Sequence, residues 1–377
     1  MEDNPLRKLQ AFGQSVWLDY LDRNMIDSGE LGRLIENDGV RGVTSNPAIF
    51  DKAISGSDAY DDDIRKLARQ GKTIEEIYEA VTVKDVQLAA DLFRGMYEDS
   101  AGRHGYVSLE VNPHLAHDET CTINEARRLW HELQRPNTFI KVPGTKEGLA
   151  AVRQLIADGV NINITLLFGL PRYREVTDAY IAGLEERAGV SLPLDVASVA
   201  SFFLSRIDMF IDPLLEEIFS NGGERGKMAA GLRGEIALAG AKQAYAIYQE
   251  IFGSERFTKL VAKGAHSQRV LWASTGNKNP EYSETRYIEP LVGPDTVNTM
   301  PKKTLDIYRR QGNPANELAK GVDQARQIHW DLAELGIDID KITQQLEEEG
   351  IEKFIKPYDA TKETLRQKII RTAVAVT

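Results

Sequence analysis

The sequence predicts an α/β fold, a closed (β/α)8 or TIM barrel with extra helices at its C-terminal end. Short runs rich in β-branched and aromatic residues alternate with longer amphipathic stretches, as parallel βα units do. Eight such runs can be read, which suits a closed barrel better than an open sheet. No linker rich in Pro, Gly or Ser splits the 377 residues, a length that barrels with insertions reach.

The strand runs carry the useful detail, because side chains along a strand point to opposite faces with period two. In SVWLDYL (15–21), Ser15, Trp17 and Asp19 oppose Val16, Leu18 and Tyr20, and Tyr20 is read as outward packing. VRGVTS (40–45) ends before Asn46-Pro47, since a proline forces the preceding residue into extended geometry. YVSLEVN (106–112) sets Ser108, Glu110 and Asn112 against Val107, Leu109 and Val111. TFIKV (138–142) puts Lys141 with Phe139, opposite Ile140 and Val142, and stops at a Pro-Gly turn. VNINITLL (160–167) sets Asn161, Asn163 and Thr165 against Ile162, Ile164 and Leu166. LDVASVASFF (194–203), QRVLWAST (268–275) and DTVNTM (295–300) complete the set. In a barrel the apolar face packs on the outer helices. The polar face therefore turns inward, and Asp19, Glu110, Lys141 and Thr165 fall toward the C-terminal ends of their strands, where barrel sites lie.

Helical stretches are read at 73–99, 122–134, 145–158, 170–188 and 232–252. Residues 304–377 read as helical throughout, covering the barrel from outside or carrying an oligomer contact. The whole chain, 1–377, is thus one barrel domain with 304–377 as a packed extension. FSNGGERGK (219–227) reads as a loop, and the spacing of a phosphate-binding P-loop fails there.

Composition narrows the function. A net charge of −11, from 57 acidic and 46 basic residues, argues against nucleic acid or an anionic membrane as partner. An anionic substrate would need a local positive field. One cysteine, Cys121, allows neither an intrachain disulfide nor a multi-cysteine metal site. The polar start MEDNPLRKLQ has no apolar signal core, and no run approaches the roughly 18 apolar residues of a membrane span. These features lead to the expectation of a cytoplasmic protein.

Lys141 poses the chemical question. An ammonium in a buried strand is costly unless it is paired or sheds its proton. It is either a snorkelling or salt-bridged lysine with Glu110 as partner, or an amine whose pKa falls by desolvation and which attacks a ketone as a Schiff-base nucleophile. Asp19 and Glu110 are either helix caps or core ion-pair partners or, beside such a lysine, acid/base groups. Asn46 is either a plain turn residue or an amide aimed into the barrel mouth. His114 and His117, spaced i, i+3, have no third ligand in view, so they are read as loop histidines and no metal is expected. YDDDIRK (60–66) and QLEEEGIEK (345–353) are read as solvated.

The segments GVTSNPAIF, SLEVNPHLAHD, FIKVPGT, VNINITLLFG and ASVASFFLSRID, in that order, resemble the signature segments of the transaldolase family. The resemblance spans roughly residues 13–300. It implies a Schiff-base aldolase on a (β/α)8 barrel that needs no cofactor or metal. The implied reaction belongs to the pentose phosphate pathway. A dihydroxyacetone unit moves from sedoheptulose 7-phosphate to glyceraldehyde 3-phosphate, giving erythrose 4-phosphate and fructose 6-phosphate.

By motif, Lys141 resembles the Schiff-base lysine, and Asp19 the group that takes the proton during cleavage. Glu110 resembles the glutamate that works through a water, and Thr165 the threonine that holds that water. Asn46 and Asn163 are implied binders of substrate hydroxyls and the imine. Ser201 and Arg206 are implied phosphate ligands, expected at the start of the helix after strand six, where backbone N–H groups favour anions. Many family members have an arginine after strand seven. This chain reads WASTGNKNP there, so the second phosphate cation is assigned to Lys278, with Ser274 nearby. VPGT and PHLAHD suggest a longer subclass of the family. Two alternatives remain at this stage, a fructose-6-phosphate aldolase and a barrel that binds sugar phosphate without chemistry.

Overall fold

The computed structural model describes residues 4–374, with side chains to residue 371. Residues 1–3 of the polar start and 375–377 of the C-terminal stretch lie outside the described residues. The strands are β1 (Gln14–Asp19), β2 (Gly42–Thr44), β3 (Tyr106–Glu110), β4 (Thr138–Pro143), β5 (Ile162–Leu167), β6 (Ser198–Phe203), β7 (Arg269–Ala273) and β8 (Thr296–Met300). They close into a parallel barrel in sequence order, β8 pairing back onto β1. Each falls within a run expected from the sequence, or within one residue of it.

The longer helices are α1 (Pro47–Ser55), α2 (Asp61–Arg69), α3 (Ile74–Asp99), α4 (Glu119–Leu133), α5 (Lys146–Asp158) and α6 (Leu170–Gly189). They continue with α7 (Ser205–Ser220), α8 (Gly223–Leu232), α9 (Ile236–Phe252), α10 (Lys302–Gln311), α11 (Val322–Glu334) and α12 (Ile339–Val374). Local chemistry sets their starts. Thr73 and Glu76 form a reciprocal capping box at α3, and the Thr145 hydroxyl accepts from Gly148 N–H at α5.

Two expectations need correction. Residues 219–227 are not one loop: α7 runs to Ser220, and α8 begins after a short turn at Gly222 (φ 69°), a left-handed angle that glycine adopts without strain. The C-terminal stretch is not helical throughout either. It breaks between α10 and α11, across Gly312, Pro314 and Gly321.

The barrel interior is filled below the mouth. Phe139 of β4 stacks on Tyr106 of β3 (centroids 4.3 Å apart) and on Trp17 of β1 (6.1 Å). β1 and β4 are not neighbours in the sheet, so this contact runs through the interior. Gly42 makes room for it, since a Cβ there would lie 2.5 Å from the indole of Trp17. The outward side chains, such as Phe202 and Trp272, pack edge to face under the helices.

Strand register brings the polar inward residues together. Asp19 is level with Thr44, Glu110 with Lys141, and Lys141 with Asn163. α12 packs on α1, α2 and α3 and reaches β5, so it lies across one side of the barrel mouth.

Candidate active site

A cavity of about 430 Å³ opens at the C-terminal ends of the strands. Lys141 lies in it with its side chain only 4% exposed, and its Nζ is 3.1 Å from Glu110 Oε2. The ammonium also donates to the Ser45 carbonyl at 3.2 Å, and the face of Phe354 lies 5.3 Å away. The lysine is therefore not a lone desolvated amine. It is the buried, salt-bridged lysine that was one of the two readings of the sequence, and this pairing makes the other reading workable. Burial pushes the Glu110 carboxyl above its ordinary range, against the pull of Lys141. The pairing places a carboxyl group in direct contact with the lysine nitrogen.

Asp19 lines the same cavity. Burial raises its pKa, while Lys141, the Thr44 hydroxyl, Arg206 and Lys278 pull it down. Thr44 Oγ1 donates to Asp19 Oδ1 at 2.7 Å and lies 2.7 Å from Thr299 Oγ1, so it fixes the carboxylate. Thr44 was missed in the sequence, although it shares strand parity with Asn46. Asn46 lines the cavity and spends its side-chain oxygen capping α1 through Ile49 N–H.

Thr165 also faces the cavity, and its hydroxyl is buried without a protein partner, as is Oε1 of Glu110. The next residue, Leu166, holds a left-handed backbone (φ 62°) where the β5–β6 register shifts. Asn163 and Glu110 sit behind the cavity wall. Asn163 donates to Ser108 Oγ at 3.1 Å and accepts from Ser201 Oγ at 2.7 Å. Ser201 thus lies inside β6, buried and tied to Asn163, although it reaches the cavity. It is not at the start of α7 as expected. That place belongs to Ser205, whose Oγ is 2.9 Å from Ser274 Oγ.

The far end of the cavity is cationic. Arg206, in the first turn of α7, presents a buried Nη1 with no protein partner. Its guanidinium lies 5.3 Å from the ring of Phe203 and 5.9 Å from that of Phe354. Lys278 faces it from the loop after β7, with Ser274 at the loop's start. Although the Lys278 side chain is exposed by area, desolvation of its ammonium, with Arg206 and Lys353 nearby, lowers its pKa to about 8. Asp208 ties this end together. It accepts from Ala237 N–H and from the Tyr287 hydroxyl, each at 2.8 Å, joining α7 to α9 and to the segment before β8.

Several bland readings change. Tyr20, one residue past the end of β1, lines the mouth rather than packing outward; strand alternation stops at Asp19. QLEEEGIEK is not simply a solvated face. It is the part of α12 that lies at the mouth, with Leu346 and Ile351 buried, Glu347 paired to Arg172 at 3.2 Å, and Lys353 in the cavity wall. YDDDIRK opens α2, but Asp63 pairs with Arg23 and Lys84, and Asp61 with Lys368. His114 pairs with Asp359 (3.0 Å) and His117 with Glu147 and Glu348, so both bind acidic side chains. Among the described residues no group of three or more His, Cys, Asp or Glu is arranged to hold a metal ion. Cys121 is exposed on the first turn of α4. No helix among the described residues is long and apolar enough to cross a membrane.

A barrel whose mouth holds a buried lysine paired to one acid, with a second acid and several cations lining the same cavity, defines a class: a (β/α)8 barrel with an acid/base and cationic pocket at the C-terminal ends of its strands. Sequence comparison makes the class specific. Residues 16–365 match the family described as Transaldolase/Fructose-6-phosphate aldolase, and the chain belongs to that family of enzymes. Its relatives include proteins named Transaldolase from Trichodesmium erythraeum (44% identical, 98% of each chain covered) and Transaldolase 2 from Nostoc punctiforme (46%, 98% of each). Another is Transaldolase 1 from Streptomyces coelicolor, 47% identical over 93% of this chain and 91% of that one.

Proposed function

We propose that the protein is a cytoplasmic transaldolase, working as one domain, that moves a dihydroxyacetone unit from sedoheptulose 7-phosphate to glyceraldehyde 3-phosphate. The observation that carries this is Lys141 Nζ, buried 3.1 Å from Glu110 in a cavity that also holds Asp19. Glu110 takes a proton from Lys141, and the amine adds to the C2 carbonyl of the ketose. The resulting carbinolamine loses water as Glu110 returns the proton through a water shared with Thr165, whose hydroxyl is otherwise unpartnered. The iminium then draws electrons. Asp19 takes the C4 hydroxyl proton, the C3–C4 bond breaks, and its electron pair flows to the imine nitrogen as an enamine forms. Erythrose 4-phosphate leaves. The enamine attacks the aldehyde carbon of glyceraldehyde 3-phosphate, Asp19 returns its proton, and hydrolysis of the imine releases fructose 6-phosphate.

Asn46 and Ser201, which line the cavity, would hold hydroxyls of the bound sugar, with Asn163 behind the wall orienting Ser201. Arg206, Lys278 and Ser274 would hold the phosphate and so fix the register of the reacting carbons. Family membership, and the cations gathered here in a chain of net charge −11, support a phosphorylated substrate.

Reduction by borohydride in the presence of fructose 6-phosphate should fix a mass increment on Lys141, lost in Lys141→Met. A coupled assay with fructose 6-phosphate and erythrose 4-phosphate should show transfer. Absence of the adduct would make the barrel a binder. Rapid release of free dihydroxyacetone without an acceptor would make it an aldolase.

A further inference from the structure

We propose that α12 completes the phosphate end of the site: Lys353 is a third phosphate-binding cation beside Arg206 and Lys278, held by Glu349 until a substrate phosphate takes that carboxylate's place. The inference rests on the cavity being a sugar-phosphate site.

α12 lies close against the mouth. A Cβ on Gly350 would sit 2.9 Å from Leu166 Cδ2 and 3.7 Å from Arg206 Nη1, so glycine lets the helix approach both. One turn later Phe354 places its ring 5.3 Å from Lys141 Nζ and 5.9 Å from the Arg206 guanidinium carbon. A single ring therefore spans the reacting end and the cationic end. Lys353, its neighbour, lines the cavity. The helix is held here by Leu346, Ile351 and Phe354, all buried, and by the largely buried Arg172–Glu347 pair (3.2 Å), so Lys353 projects from a packed wall.

Lys353 pairs with Glu349 at 3.0 Å, one turn back on the same helix, and both side chains are substantially exposed. Pairs of that kind contribute little. Arg206 Nη1 is a buried donor with no protein partner. A phosphate dianion offers more charge and more acceptor oxygens than one carboxylate, and it can bridge Lys353 to Arg206 in charge-assisted hydrogen bonds. The exchange from Glu349 to phosphate is therefore favourable, and it would make recognition of the phosphate depend on a helix outside the βα repeat.

The test uses the full chain with Lys353→Met, Lys353→Arg and Glu349→Gln, two assays and an unphosphorylated control. The first assay is the affinity for inorganic phosphate, by calorimetric titration. The second is donor kinetics with fructose 6-phosphate against fructose, with unphosphorylated glyceraldehyde as acceptor so that only the donor carries phosphate. Lys353→Met should weaken phosphate about tenfold or more, the scale of one hydrogen bond to a charged group. It should raise KM for fructose 6-phosphate in the same proportion and reduce discrimination against fructose. Lys353→Arg should restore most of both, and Glu349→Gln should tighten phosphate severalfold. Equal losses for the two sugars, or a phosphate affinity indifferent to Lys353, would overturn the proposal. The borohydride adduct separates the two claims. An adduct on Lys141 with phosphate affinity independent of Lys353 sinks the inference alone. A Lys353-dependent affinity without any adduct upholds it and sinks the transaldolase reading.

Discussion

Replacing Thr44 by valine tests the proposed role of Asp19 as the base. The Thr44 hydroxyl donates to Asp19 Oδ1 at 2.7 Å, and it is one of the influences holding down a carboxyl that burial raises. Valine keeps the branched shape and removes the donor. A hydrogen bond to a charged group is worth about 1.5–3 kcal/mol, and about 1.4 kcal/mol corresponds to one pKa unit. Losing that bond should therefore raise the carboxyl further. The sign follows from the role. In the proposed mechanism Asp19 must be ionised to accept the hydroxyl proton, so the acidic limb of kcat/KM moves to higher pH, and the loss is greatest at low pH. The assay is a pH profile of transfer from fructose 6-phosphate for wild type, Thr44→Val and Thr44→Ser, the serine variant returning the limb close to its original place. A limb that stays put in Thr44→Val while activity drops equally at every pH would refute the assignment of Asp19 as base.

Asp19→Asn should lower turnover by about 10²–10⁴, the usual weight of a general base, yet still yield the borohydride adduct with dihydroxyacetone, because Asp19 acts after the imine forms. Loss of the adduct as well would place Asp19 in imine formation. Asp208, fully enclosed, has its pKa raised to about 7 by burial. Its folded pKa exceeds its unfolded one, so it contributes stability below about pH 4 that is lost as pH rises through about 7. Denaturant titrations should therefore show Asp208→Asn gaining on wild type by about 2–3 kcal/mol between pH 5 and 8, and a constant difference would contradict this. Gly350→Val should force α12 away from Leu166 and Arg206. Overpacking costs about 1–3 kcal/mol, offset in part by the poor helix propensity of glycine. The melting midpoint should fall and KM for sugar phosphates should rise; unaltered kinetics would show that the helix can shift without consequence.

The strands were legible because β-branched runs with period-two alternation survive in the sequence wherever one face is buried. The same alternation marked Asp19, Glu110, Lys141 and Thr165 as inward, and it also carried Thr44, which shares parity with Gly42 and Asn46 and went unread. It gave no warning where a strand ends. Tyr20 lies one residue beyond β1, and Ser201 lies two residues before the end of β6, within the run 194–203, although it was expected at the start of the helix that follows. α12 was obscured by charge. Glu347, Glu348, Glu349 and Lys353 dominate its composition, yet Leu346, Gly350, Phe354 and Tyr358 recur at helical spacing on one side. Glu347 falls close to that stripe and needed a cation from elsewhere. That cation is Arg172, distant in sequence, so only the folded chain could supply it.

The aromatic stack of Trp17, Phe139 and Tyr106 makes the barrel a cup with a solid base. Reactants enter at the rim, where the cavity opens. In the proposed mechanism the aldose released in the first half of the cycle must vacate before the second aldose can take its seat, while the three-carbon fragment waits on the enzyme. Such traffic gives parallel lines in double-reciprocal plots of rate against donor at several acceptor concentrations. It also means that whatever shelters the waiting fragment from water has to come from above, where α12 stands.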